Sequence, residues 1–387
     1  MKFALLGFDA DSLELAHGIA RHPAHQLTSG CEVNGAESEL RTIAPHLQIV
    51  EFWEALLASD TAEAVIVSYG ANSDERADQL RKLVQAGVPL ILTHPVDDSM
   101  LICYELDMIR RETGCVMLPY IPFRWHAGLQ RLAAIVTAGA DSPIGAAEQI
   151  VMERAIENRE RVPVLRQFAR DVELLRALSG ELTSVSAHAP GGKEEADYAN
   201  LGVQLTGSGS VLARWSVGSA DHGAGAAIVI RGNKGKASLA LAHAGEPTEL
   251  EIVTGGQTSH ESFPAWDPVA AALDEFQNAI AAQPALPTWS DACRDVELTE
   301  AIARSLAKGR TIELHDEEHS EHGTFKGTMT SVGCGLLLAS LVLLLVAAAL
   351  AKITGNAFFG YAPYLILGVL GIFLVLQSLT LVFPDGE

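Results

Sequence analysis

Four residues near the start of the chain, Gly7, Asp9, Ser12 and Glu32, have types and spacing suited to holding a nucleotide. Residues 2–8 form a short apolar run ending around Gly7, long enough for a buried strand and too short for a helix. Asp9, Asp11 and Ser12 are turn and N-cap residues, and the helix they open carries an apolar face of Leu13, Ala16, Ile19 and Ala20. In doubly wound folds such a strand, turn and helix hold a dinucleotide's diphosphate, because the helix N-terminus presents unpaired N–H groups and the positive end of its dipole. The G-x-G-x-x-G pattern is incomplete: Gly7 keeps the first glycine, Asp9 stands at the second and Ser12 at the third. Glu32 closes the next apolar run, residues 26–33, and is either the carboxylate for a cofactor's ribose hydroxyls or a solvated strand-end charge. Asp9 and Asp11 work against a phosphate. At about 4 Å a carboxylate repels a phosphate charge by roughly 1 kcal/mol in water and about 4 kcal/mol at an effective dielectric of 20. Their other use is to cap the helix.

The elements that position these residues follow in a regular order. A helix over 36–44, a strand over 47–50 and a short helix over 53–58 precede 62–68, a near-continuous apolar run of the kind a parallel strand covered on both faces requires. Helix 73–86 closes at Gly87, strand 89–93 ends at His94-Pro95, helix 98–113 closes at Gly114, and 115–119 is a further strand. The alternation predicts an α/β class with a Rossmann-like parallel sheet over residues 1–122, right-handed crossovers and helices on both faces. Residues 123–314 read as an α+β domain with a largely antiparallel sheet. Its helices are 126–138, 164–178, 268–282 and 290–308, its strands 146–156, 183–189, 199–207, 210–217, 226–231, 236–242 and 249–253, and 311–314 is an edge strand.

Beyond this body, 315–330 is a polar linker containing HDEEHSEH, whose histidines and carboxylates match no closed metal-site spacing. No metal is expected. Between Lys326 and Lys352 no charged residue occurs, and 331–352 and 361–383 are each long enough to cross the roughly 30 Å of a bilayer's hydrocarbon. Tyr361 and Tyr364 stand where interfacial aromatics belong. The pair predicts a transmembrane hairpin in the inner or cytoplasmic membrane, with the body facing the cytoplasm. Gly333, Gly335, Gly368 and Gly371 leave room for close helix packing and a homo-oligomer. A net charge of -21 argues against a nucleic-acid partner, since Lys and Arg are needed to displace counterions from phosphate. Five cysteines without C-x-x-C spacing fit reduced thiols.

The order of elements over roughly residues 1–314 resembles the glucose-fructose oxidoreductase, inositol dehydrogenase and MocA family (Gfo/Idh/MocA). The resemblance lies in AVIVSYGANSDERADQLRKLVQAGVPLILTHP, DVELLRALSGELTSVSA, IRGNKGKASL and TWSDACRDVELTEAIARSLAKGRTIEL, taken together and in order. It implies NAD or NADP as cofactor and hydride transfer to or from a sugar or cyclitol hydroxyl. It also implies where the chemistry belongs. Thr93-His94-Pro95 stands at the family's Glu-Lys-Pro, so His94 and Pro95 fall beside the nicotinamide and His94 replaces the lysine. Arg166 and Arg170 stand where the family has an Asp and a His, and Ser68-Tyr69 replaces a Thr-Pro in the cofactor crevice. Of these replacements only His94 titrates near neutral pH, which makes it the candidate proton shuttle or else a strand-end histidine satisfied by backbone. Arg166 and Arg170 share a helix face and form either a clamp for a carboxylate or phosphate or ordinary surface charges.

Two functions follow from these residues. One is a membrane-anchored oxidoreductase with degenerate catalytic and cofactor motifs, and the other a catalytically inactive tethered sensor or scaffold on the same fold, binding a sugar-like ligand or a protein. A transporter is disfavoured because neither apolar span holds a charge in its interior, Lys352 standing at the end of the first.

Overall fold

The computed structural model of the protein describes residues 1–57, 62–70, 73–191, 196–207, 209, 211–218, 225–241 and 246–314. The linker containing HDEEHSEH and both expected transmembrane segments lie outside the described residues. Among the described residues no helix is long and apolar enough to cross a membrane.

The first half of the chain alternates as its periodicity requires. Strand β1 (Lys2–Leu6) leads to helix α1 (Ala10–Arg21), followed by β2 (Gln26–Cys31), α2 (Glu37–Ile43), β3 (Gln48–Ile49), β4 (Ala64–Val67), α3 (Ser73–Gln85), β5 (Leu90–Thr93), α4 (Met100–Thr113) and β6 (Met117–Tyr120). These strands form one six-stranded sheet in the order β3-β2-β1-β4-β5-β6, every pairing parallel. β1, β4 and β5 are almost wholly apolar and buried because helices cover both faces. The buried face of α1 is Leu15, Ala16 and Ile19; Leu13 and Ala20, expected there, are only partly covered.

The second half follows with α5 (Ala127–Thr137), β7 (Ala147–Ala155), α6 (Arg161–Ser179), β8 (Leu182–His188), β9 (Gly202–Gly207), β10 (Leu212–Gly218), β11 (Ala226–Gly232), β12 (Gly235–Leu241), β13 (Thr248–Thr254) and β14 (Gln257–Phe263). Helices α7 (Pro268–Ile280) and α8 (Trp289–Lys308) and the short strand β15 (Ile312–Glu313) complete it. The nine strands run β14-β13-β12-β11-β7-β10-β9-β8-β15, antiparallel except where β7 lies parallel to β10. Strand β14 escapes a reading by apolar alternation. Its sequence, QTSHESF, is polar and mostly exposed, and it is held by a hairpin through Gly255 and Gly256, both at positive φ.

Residues through Leu314 form one compact unit. Val269, Ala272, Leu273 and Phe276 of α7 pack with Phe3, Leu5 and Ile66 on one face of the parallel sheet. Trp289, Ala292, Cys293 and Val296 of α8 pack with Val67, Leu92 and Leu106 on the other. The remainder of α8, from Leu298, joins α5 and α6 in the core beneath the nine-stranded sheet. The chain crosses back, so its last two helices bind the two halves together.

Candidate functional site

The carboxyl ends of β1, β4 and β5 meet at Gly7, Ser68 and Thr93-His94, where α6 approaches from the second half. Gly7 holds a φ of +80°, the left-handed region that glycine enters without strain. Asp9 is the N-cap of α1: its Oδ1 accepts from the Ser12 N–H at 2.8 Å, and Ser12 Oγ accepts from the Asp9 N–H at 2.8 Å, a closed capping box. Thr93 Oγ1 donates to Asp9 Oδ2 at 2.7 Å. Asp11, in the first turn of α1, is paired with the Arg170 guanidinium, yet burial outweighs that pull and raises its carboxyl above the usual carboxylate range. The two aspartates that stand against a phosphate in the sequence are therefore consumed inside the protein, and Ser12 is buried within the cap.

Glu32 follows β2 at a φ of 56°. Its carboxylate accepts from Arg76 Nη2 at 2.8 Å and from Gln79 Nε2 at 2.5 Å, so the charge is paired, while about a third of the side chain stays open to solvent (35%). Arg76, the fourth residue of α3, is only 3% exposed. Its guanidinium lies over the turn: a Cβ built on Gly7 would stand 2.6 Å from Arg76 Nη2 and in hard contact with Ser68 Oγ. Ser68 Oγ itself donates to the Leu6 carbonyl at 3.3 Å.

His94 does not present its ring as a proton shuttle. The side chain is buried, with Nε2 3.3 Å from the Ala169 carbonyl oxygen and 3.5 Å from Asp295 Oδ2 on α8. Burial, with the nearby Arg170 charge second, pushes its pKa down to about 3, so the ring is neutral across the physiological range. Asp295 is raised well above its ordinary value, chiefly by burial, and its Oδ2 has no hydrogen-bond partner. A dry interior opposes charge on either group.

Arg166 and Arg170 do share a face of α6 and turn it toward the parallel sheet, but they form no open clamp. Besides Asp11, Arg170 binds backbone, its Nε donating to the His94 carbonyl at 2.7 Å. Arg166 lies over the Tyr69 ring with its Nε 3.7 Å from Asp98 Oδ1. Tyr69 Oη donates to Asp98 Oδ2 at 3.1 Å, and burial raises the phenol's pKa, keeping the proton on oxygen. Asp98, half-exposed, and Pro95 line a cavity of about 430 Å³ together with Leu165, Ala169, Thr299 and Glu300. Behind α6, Arg176 is held by Glu173, Glu181, Asp291 and Asp295, and Arg124 also donates to Glu173 at 2.9 Å. Burial drives the Glu173 carboxyl up to about 7.

Gly7, Asp9, Ser12, Glu32, Ser68 and His94 all lie at or just beyond the carboxyl ends of parallel strands, where Arg170 reaches in from α6; Ser12, Ser68 and His94 are buried there, and Pro95 lines the cavity beside them. Sequence reasoning misses Arg76, Asp98 and Asp295, none of which carries a motif, and it treats Thr93 and Tyr69 only as parts of replacements. A short helix-capping pattern reveals Asp9; nothing local reveals an arginine that reaches back over a turn formed about seventy residues earlier.

No protein-family model matches the chain, and no curated protein matches it in sequence. Solved structures do match it in fold. A putative NADPH-dependent oxidoreductase from Desulfitobacterium hafniense superposes with a TM-score of 0.69 at 15% identity, over 81% of this chain and 97% of that one. A putative myo-inositol dehydrogenase from Sinorhizobium meliloti gives 0.63 at 20% identity, over 81% and 100%. An oxidoreductase from Agrobacterium radiobacter, solved with NAD+, L-tartaric acid and magnesium, gives 0.67 at 14% identity, over 81% and 98%. The described body has the fold of NAD(P)-dependent oxidoreductases, the architecture that the sequence resemblance implies.

Proposed function

We propose that the protein is a divergent Gfo/Idh/MocA-type oxidoreductase that uses NAD or NADP on a sugar or cyclitol hydroxyl, anchored to the cytoplasmic membrane by its C-terminal apolar segments. The observation that carries this reading is the strand–turn–helix at Gly7, with its positive-φ glycine, on a parallel sheet of order β3-β2-β1-β4-β5-β6. The three heavy atoms nearest a Cβ built on Gly7 are side-chain atoms of Ser68 and Arg76, so it is side-chain ends that fill the space directly above the turn. The residues fit a dinucleotide once those side-chain ends withdraw. Gly7 admits the close approach, and Glu32 faces the ribose hydroxyls. The structural neighbours support the cofactor class, one of them having been solved with NAD+. When bound, the cofactor supplies the hydride acceptor or donor.

The chain must supply a place for the hydroxyl proton, and His94, neutral and packed against α8, is not that place. That role falls to Tyr69 and Asp98, of which Asp98 lines the cavity. Asp98 accepts the proton through Tyr69 Oη and, being half-exposed, returns it to water. Thr299, Glu300 and Asp98 offer the cavity's polar contacts to substrate hydroxyls. A second reading, a tethered ligand-binding sensor without turnover, is favoured by the burial of His94 and the internal pairing of Arg170. Fluorescence titration of the full-length protein in detergent micelles with NADH and NADPH separates these readings. Saturable binding by one of them, with turnover on a sugar panel that Asp98→Asn abolishes, is expected. Binding without turnover selects the sensor, and no binding at millimolar concentrations removes the enzyme reading.

A further inference from the structure

We infer that Arg76 is the counter-ion this chain offers to the diphosphate of its cofactor, exchanging Glu32 for phosphate when a dinucleotide enters. The inference rests on the NAD(P) reading above and assigns a residue to it. Where a glycine-rich turn opens a helix, the diphosphate is held by backbone N–H groups and the positive end of the helix dipole. Here that end is already spent. The Asp9 carboxylate takes the Ser12 N–H, and Asp11 adds a second carboxylate to the first turn, neutralised by Arg170. A diphosphate brought to this turn needs positive charge from another element.

Arg76 supplies it from α3. Its Nη2 lies 2.6 Å from the point a Cβ of residue 7 would occupy, so the guanidinium covers the turn where a phosphate would approach. Gly70 gives it the room: a Cβ there would stand 2.8 Å from Arg76 Cβ and 2.9 Å from Arg76 Nε. Nη1 donates to Gln79 Oε1 at 2.7 Å and Nη2 to Glu32 Oε2 at 2.8 Å, while Nε is buried without a hydrogen-bond partner among the described residues. The fork therefore holds a carboxylate at the ribose position and carries one unused N–H. Rotating it from Glu32 toward a phosphate trades one charge-assisted pair for another and frees Glu32 for the ribose hydroxyls in the same movement.

The opposite role, a plug that keeps the crevice closed, uses the same contacts and predicts the opposite result. The test compares dissociation constants of NADH, ADP-ribose and adenosine for full-length wild type, Arg76→Ala and Arg76→Lys, by fluorescence and calorimetry. As a counter-ion, Arg76→Ala weakens NADH and ADP-ribose by about 10- to 100-fold, the worth of a hydrogen bond to a charged group. Adenosine, which has no phosphate, keeps its affinity, and Arg76→Lys recovers part of the loss as a point charge. Tighter NADH binding by Arg76→Ala, or binding by that variant alone, overturns the inference and establishes the plug. Equal weakening of adenosine and ADP-ribose also overturns it, since Arg76 would then only shape the site. If none of the three proteins binds any of the three ligands, the cofactor reading falls and takes this inference with it.

Discussion

Replacing His94 by Gln tests whether the strand-end histidine is an interior residue or a proton shuttle. Its ring is fully enclosed, Nε2 lies between the Ala169 carbonyl at 3.3 Å and Asp295 Oδ2 at 3.5 Å, and the Arg170 charge stands nearby. The folded pKa is about 3 against an ordinary 6.5, so between those values the unfolded chain binds a proton that the native protein refuses. Stability from this group is therefore complete above pH 6.5 and lost as pH falls, at about 1.4 kcal/mol per unit. At pH 5 the loss is about 2 kcal/mol. The Gln amide does not titrate, so His94→Gln should be about 2 kcal/mol less sensitive to acidification from pH 7.5 to 5 than wild type. Equilibrium urea unfolding of the two proteins, followed by tryptophan fluorescence at each pH, reads this difference in slope; the constant offset from repacking cancels. Equal slopes would refute the argument. So would a pH–rate profile of the cofactor-loaded protein with a group near 6.5 that disappears in the variant, since that group would be a histidine in contact with solvent.

Two further changes probe the packing that holds the crevice. Glu173 has a folded pKa of about 7 against an ordinary 4.5, so the native protein binds its proton more tightly and stability falls as pH rises through that window, by about 3 kcal/mol in all. Glu173→Gln should remove that decline, seen as a Tm that varies less with pH between 5 and 8; an unchanged profile contradicts it. Asp171, wholly buried, accepts from Arg154 Nε at 2.9 Å and Nη2 at 2.5 Å and from Trp215 Nε1 at 2.9 Å. Asp171→Ala strands the Arg154 charge and should cost about 3–5 kcal/mol in chemical denaturation, whereas Arg154→Met with Asp171→Leu should recover much of it.

Much of the fold is legible along the chain because its determinants are local. The apolar run of β1, the glycine at positive φ and the capping box of Asp9 and Ser12 lie within a dozen residues of one another, and each has one physical use. The strand and helix periods order the elements as far as α8, and where the pattern has no apolar face, as in β14, a strand goes unread. Site chemistry is less legible because residue type alone does not state a partner. Asp9 and Asp11 are the same residue two positions apart, yet one caps a helix and takes a threonine hydroxyl while the other meets an arginine from α6.

What the sequence by itself determined is the alternation of strands and helices and the strand–turn–helix at Gly7, because these are properties of neighbouring residues. Only the tertiary structure decided that α7 and α8 return to the parallel sheet, that His94 is sealed against Asp295, and that Arg76 covers the turn at Gly7. Those outcomes depend on which distant side chains share a space too small for water, and burial there sets both charge and partner.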